Sequence, residues 1–168
     1  YFRLKNTIVQ RRDAGGGDYF INAGKTSQKG LETSLQYNLW QNHPAIRQAT
    51  IWLNHTYHHF RYKDFKQVTV DFSGNSLPGV APHAVSAGVD LSTRKGLMGG
   101  ITYYYNSRTP LNDANADWAN EFHLLGARLG YDLPFGEKHK LRIVAGAENL
   151  LDQRYSLGND IKGFGGRF

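Results

Sequence analysis

Three histidines, His55, His58 and His59, are the first residues whose type and spacing suggest chemistry. On an extended chain adjacent side chains point to opposite faces, so His58 and His59 cannot close on one metal ion. His55 and His59 share a face but lie roughly 13 Å apart at about 3.3 Å per residue. A ring of interfacial aromatic and imidazole groups accounts for them better than a metal centre, and no metal ligand is assigned. A membrane-embedded hydrolase can carry Ser and His on its wall. This chain has no Ser, His and Asp set in a hydrolase-like local pattern, and no catalytic residue is assigned. With zero cysteines, thiolate catalysis, disulfides and cysteine zinc sites are all removed. No cofactor is expected. A second group is of a different kind: Arg11, Arg12, Arg61, Tyr62, Arg108 and Asn112 stand at the ends of alternating segments or in the long gaps between them. Guanidinium forks and aromatic rings at such places suit an anionic ligand, although the same places could meet an anionic lipid or solvent.

The elements that must position these groups are strands. In Gly30–Trp40, Leu31, Leu35, Tyr37 and Leu39 fall on one face, and Glu32, Ser34, Gln36 and Asn38 on the other. Ala84–Thr93 repeats the device, with Val85, Ala87, Val89 and Leu91 against Ser86, Gly88, Asp90 and Ser92. A two-residue period with one apolar and one polar face predicts half-buried β-strands. The predicted strands are Tyr1–Gln10, Lys29–Trp40, Ala49–Tyr62, Ala84–Thr93, Leu97–Arg108, Glu121–Leu133 and Lys140–Leu151. Their connections alternate. Gln41–Gln48, Arg94–Gly96 and Pro134–His139 are short, whereas Arg11–Gln28, Lys63–His83 and Thr109–Asn120 are long and rich in turn formers. Strands of about ten residues with short turns at one end and long loops at the other are the pattern of a transmembrane β-barrel. Gaps this short can join only neighbouring antiparallel strands, which predicts a meander with all long loops at one end.

Composition agrees. No run of apolar residues is long enough for a membrane helix, and mean hydropathy is −0.54. A barrel strand escapes such measures because only alternate residues meet lipid. The net charge of +6 raises nucleic acid as a partner, but Lys and Arg are spread through loops and turns rather than gathered in a stripe. Nucleic acid is therefore not expected. The chain opens inside a strand-like run without a leader, and its Gly165–Phe168 end follows a glycine-rich stretch. It reads as part of something longer.

Four segments then resemble one family in register. Asn22–Leu35 resembles a loop-to-strand passage, and Gly74–His83 (GNSLPGVAPH) resembles an N-x-L-P-G-V-P-x-H loop, from which Ala81 departs. Pro110–Leu125 resembles the loop before the third-from-last strand, and Gly146–Tyr155 (GAENLLDQRY) resembles the signature G-x-x-N-L-(F/L)-D-x-x-Y. These are similar to the C-terminal barrel region of TonB-dependent outer-membrane receptors. The resemblance implies an all-β fold, an antiparallel up-and-down meander of about seven strands within a barrel of about 22. Residues 1–168 would supply about strands 15–21 of that barrel; the plug domain and last strand would lie elsewhere. It implies active uptake of an iron–siderophore or related iron complex, energised through TonB by way of the plug. Outer-membrane lipid and lipopolysaccharide would be the surroundings. Short turns would face the periplasm. Ile51, Leu53, Tyr57, Leu97, Ile101, Tyr103 and Tyr105 would face lipid, while Thr50, Asn54, Thr56, Thr102, Tyr104 and Asn106 would face the lumen. Glu32, Asp90, Arg128 and Glu148 would point inward as polar lining, with ligand contact the alternative. Two other classes remain open: an outer-membrane barrel enzyme or adhesin, and a soluble β-sandwich binding module.

Overall fold

The structure is a computed structural model. It describes the backbone of residues 2–5, 8–12, 17–22, 24–40, 43–67, 69–135 and 139–155, and side chains at Gly17 and from residue 24 onward within those ranges. Among the described residues thirteen strands follow in order: β1 Phe2–Lys5, β2 Ile8–Arg12, β3 Asp18–Asn22, β4 Lys25–Trp40, β5 Ile46–Asp64, β6 Lys66–Gln67 and β7 Val70–Asp71. The rest are β8 His83–Thr93, β9 Leu97–Asn106, β10 Thr109–Pro110, β11 Trp118–Ala119, β12 Phe122–Phe135 and β13 His139–Ala147. Seven of them form one antiparallel sheet in the order β1-β4-β5-β8-β9-β12-β13, and the other six make three two-stranded ribbons. The order is sequential apart from the ribbons. It is a meander in a single sheet, and among the described residues no second sheet packs face to face with it, as a sandwich would require.

Register explains how the period-two pattern acts on the whole sheet. Across the six strands β4, β5, β8, β9, β12 and β13, away from the register shifts at Lys25, Trp40 and Ile46, odd-numbered residues pair with odd and even with even: Tyr37, Ile51, Val89, Ile101, Ala127 and Ala147 form one row. The next polar row is Asn38, Thr50, Asp90, Gly100, Arg128 and Gly146. A slip of one residue anywhere would send an apolar set to the polar face. The large apolar side chains of the odd face are not covered. Leu35, Ile101, Leu129 and Ile143 are 55% exposed or more, and Leu31 and Val89 are exposed beside half-buried Val85. A contiguous apolar surface of that size needs a non-aqueous neighbour. Such a surface suits lipid, as the outside of a barrel wall does.

The strands outrun the membrane. β5 has 19 residues and β4 has 16, against the 9–11 residues or so that suffice to span a bilayer. Their excess carries the long loops. The upper edge of β5 is paired by the loop that precedes β8: Tyr62 N donates to Asn75 O (2.9 Å), Leu77 N to Phe60 O (3.0 Å) and His58 N to Pro82 O (2.8 Å). Tyr62, Phe65, Phe72 and Leu77 pack into a small hydrophobic cluster inside that loop. At the other end, the short turns are drawn together, with Arg94 N donating to Ala45 O (3.0 Å) and Asp132 N to Gly96 O (2.9 Å). Gly96 sits at φ 93°, where a Cβ would come 2.6 Å from Asp132 O, so this turn requires glycine.

Boundaries differ from the sequence reading: β4 begins at Lys25 rather than Lys29, β5 runs Ile46–Asp64 rather than Ala49–Tyr62, β9 ends at Asn106 rather than Arg108, and the Lys63–His83 loop holds the β6-β7 ribbon. The first expected strand, Tyr1–Gln10, is two: β1 pairs with β4, while β2 leaves the sheet to form a ribbon with β3. The alternating Tyr19–Ile21 run makes that ribbon possible inside what reads as a Gly-rich loop. The expected strand Lys140–Leu151 ends at Ala147, because Asn149 (φ 52°) and Asp152 (φ 47°) turn the chain. The loop Thr109–Asn120 holds the small ribbon β10-β11. The expectations for Tyr1, Asn6 and Thr7, Asp13–Gly16, Ala23, Gln41 and Asn42, Val68, Gly136–Lys138 and Ser156–Phe168 lie outside the described residues.

Candidate functional site

The even-numbered face is a polar wall built for close approach. Gly88, Gly100, Gly126, Gly130 and Gly146 all lie on it. Their missing side chains let neighbours lie flat. A Cβ on Gly88 would stand 2.5 Å from Trp52 Cζ2, and one on Gly100 would stand 2.6 Å from Asp90 Oδ1 and 3.2 Å from Arg128 Nε. In that space Trp52 Nε1 donates to Asp90 Oδ2 (2.9 Å), and Arg128 Nη2 donates to Asp90 Oδ1 (2.6 Å). A chain of amides and hydroxyls continues beside them: Ser34 Oγ to Asn54 Oδ1 (2.7 Å) and Thr50 Oγ1 to Asn38 Oδ1 (2.9 Å). Asp132 takes both nitrogens of the Arg142 fork, at 2.6 and 2.9 Å. The inward readings of Asp90 and Arg128 are realised as one ion pair.

Histidines gather on the opposite, outer face, at the long-loop end. His55 and His59 do not meet, but His55 Nε2 lies 3.1 Å from His83 Nδ1 on the next strand, with the rings stacked. Tyr57 stacks on His83 and reaches His59 Nδ1 at 3.3 Å. Tyr103 Oη lies 2.6 Å from His123 Nδ1. This belt sits on the lipid-facing surface at the end of the apolar band, where amphipathic rings favour the headgroup level. His58 faces the other way, its Nδ1 3.1 Å from Ala81 O. Among the described residues no three His, Cys, Asp or Glu side chains converge on a metal-sized site.

The outward loops bring together residues distant in sequence. Tyr62 Oη donates to Asp113 Oδ1 (2.6 Å), and Asn75 Nδ2 donates to Asp113 O (2.7 Å). Asn115, at φ 53°, accepts from Ser76 N (2.8 Å) and donates to Ser76 O (2.9 Å). The two loops are thereby fastened into one unit. Candidates from the sequence divide accordingly. Tyr62 is buried, with its hydroxyl used between the loops. Asn112 holds its own turn, donating to Asp117 Oδ2 (2.6 Å) and accepting from Ala116 N (3.0 Å). Arg61 is exposed while one guanidinium nitrogen donates to Gly74 O (2.7 Å). Arg108 is exposed over the Trp118 ring, 5.7 Å from its centroid. Arg11 and Arg12 stand on the β2 ribbon, paired with Tyr19 and Asp18, and their side chains lie outside the described residues.

The Gly146–Tyr155 motif has a structural part to play. Asn149 accepts from Gln153 N (3.0 Å) and donates to Gln153 O (3.1 Å), closing the turn. Leu150 N then donates to Leu125 O (2.8 Å), His123 N to Gln153 Oε1 (2.7 Å), and the Tyr155 ring stacks on Phe122 at 4.7 Å. The motif pairs the upper edge of β12 after β13 has ended. Sequence reasoning found the motif but not this use of it, nor the Asp90–Arg128 and His55–His83 pairs, which only the register between strands creates.

One open meander with a lipid-facing surface, a polar inner wall, short turns at one end and fastened long loops at the other is the wall of a transmembrane β-barrel. The family model for the TonB dependent receptor-like beta-barrel matches residues 1–150. The chain belongs to that family. That family is one of bacterial outer-membrane proteins that serve TonB-dependent transport, transporters rather than enzymes.

Proposed function

We propose that the protein takes up an iron–siderophore or related iron complex, and that this chain supplies about strands 15–21 of a barrel of about 22 strands. The plug domain, through which TonB would act, and the last strand would come from the rest of the protein. Supporting the partial-barrel reading, β13 pairs only with β12 among the described strands and its nine residues are all exposed, so a neighbour is needed to close the wall. The observation that carries the ligand reading is the pair of exposed guanidinium groups at the long-loop end, Arg108 over the Trp118 ring and Arg61 two positions beyond His59 on β5. Ferric chelates commonly carry net negative charge, and an exposed arginine beside an aromatic ring offers such a ligand both charge and a stacking surface. Arg11 and Arg12 would extend the same entrance. Tyr62 and Asn112 would act by holding the loops that present it, and the lipid-facing belt would meet lipopolysaccharide.

Growth of a deletion strain on a panel of single iron sources tests this. The reading expects loss of growth on one iron complex, restored by the full-length gene but not by a gene carrying Arg61→Ala and Arg108→Ala. Growth on every iron complex, with loss on another scarce nutrient instead, would overturn the iron assignment.

A further inference from the structure

The inner wall is not uniformly polar. Its upper half carries amides and hydroxyls, Ser34, Asn54 and Ser86 among them, whereas cations accumulate toward the short-turn end. Arg128 and Arg142 border the same cavity of about 420 Å³ on the even face. Arg142 also borders a cleft of about 710 Å³ at the turn end, together with Arg47, Arg94, Lys95 and Lys140. Asp132 is the one carboxylate among that cleft's described lining residues, and it is already held by both nitrogens of Arg142. Arg94 donates its Nε to His43 O (3.1 Å). Among the described residues, Arg47, Lys95 and Lys140 have no carboxylate within ion-pair distance. Among the described residues the cleft therefore sets five cations around one acid, which Arg142 holds directly and on which Lys140 and Arg47 also act from a distance.

We propose that Arg128, Arg142, Lys140 and Arg47 form an anion track along the lumen wall, which passes a solute bearing carboxylate oxygens from mid-wall to the short-turn mouth. This rests on the reading of the cargo as an anionic iron complex and adds where its charge would be received on the way out. The chemistry fits transit rather than capture. Arg128 and Arg142 are each tied to an aspartate, so an arriving carboxylate meets a cation whose charge is already shared. Such a site binds weakly enough to release, and a second site below it makes release downhill. Like charges clustered in a low-dielectric channel also focus the field on anions at the mouth. The glycines at positions 100, 130 and 146 leave room for the Asp90, Arg128, Met98 and Val144 side chains to lie flat against the wall between these cations.

The test uses the full-length receptor in a planar bilayer, opened with urea so that current passes the lumen, with citrate added on the short-turn side. The proposal expects citrate to block the current, and the block to weaken about tenfold in the Arg47→Gln, Lys140→Gln double variant, as for two screened ion pairs of about 0.5–1 kcal/mol each. The charge-conserving Arg47→Lys, Lys140→Arg variant should keep the block, and heat-dependent gel mobility shows that each variant is folded. Absence of block in the parent protein, or equal block in both double variants, overturns the track. So does a neutralised variant that opens at lower urea with block unchanged, since the cations would then be holding the plug. Iron uptake by cells is read separately, so a receptor blocked by citrate that imports no iron contradicts the cargo and not the track.

Discussion

Gly88→Ala is a sharp probe of the inner wall, because a single methyl group there has nowhere to go. Its Cβ would lie 2.5 Å from Trp52 Cζ2, 2.7 Å from Trp52 Cε2 and 2.8 Å from Ile101 O. Overpacking of this kind costs about 1–3 kcal/mol. Relief by swinging the indole away breaks the 2.9 Å bond from Trp52 Nε1 to Asp90, a hydrogen bond to a charged group that contributes about 1.5–3 kcal/mol. The cheaper route sets the loss, so Gly88→Ala should destabilise by about 2 kcal/mol. In a Trp52→Ala background the indole clash is gone and only the contact with Ile101 O remains. The cost of Gly88→Ala should then fall, giving a coupling on the order of 1–2 kcal/mol. Urea unfolding of the full-length receptor in phospholipid vesicles measures all four corners of the cycle. An equal cost in both backgrounds would show that Trp52 does not lie over Gly88, and the close-packed lumen wall would be refuted.

Other outcomes follow from the same geometry. Ile101→Arg, on the exposed apolar row, should cost about 2–4 kcal/mol in vesicles, whereas Thr102→Arg, one residue on and facing the lumen, should cost markedly less; equal losses would remove the distinction between the faces. Asn115→Ala removes both bonds to Ser76 and should open the loops around positions 75 and 113 to limited proteolysis while leaving the strands intact. Asp71 in the outward loop is held below its ordinary 3.8 first by the Ser73 hydrogen bonds, with Lys66 adding to them. The folded value is depressed, so the stabilisation is complete above about pH 4 and is lost as pH falls through the depressed value. Hydrogen exchange in the 66–73 segment should rise over that acid range, and Asp71→Asn should abolish the dependence.

Much of the fold was legible because a two-residue period states which face each side chain takes, whatever its partner. Leu35, Val89 and Ile101 could be placed outward, and Asp90 and Arg128 inward, from local sequence alone. Pairings were not legible in the same way. Asp90 and Arg128 are 38 positions apart, and Tyr62 and Asp113 are 51 apart, so their contacts exist only once register is set across several strands. The same holds for His55, whose neighbour is His83 on the next strand rather than His59 on its own. Tyr62 illustrates the limit for the site: its place at a strand top was legible, but its burial against Phe65 and Leu77 was not. Boundaries failed where backbone pairing continues without regular strand geometry, as after Ala147, where the Asn149 turn takes over the edge of β12.

The central claim is that this chain is a membrane wall with lipid on its odd face and the lumen on its even face. Spin labels placed singly at each position from Leu97 to Asn106 of the full-length receptor in lipid vesicles test it most directly. Accessibility to dissolved oxygen should peak at 97, 99, 101 and 103, and accessibility to a water-soluble nickel chelate should not peak there, alternating residue by residue. Labels that show no alternation, or oxygen maxima at 98, 100 and 102, would contradict the account.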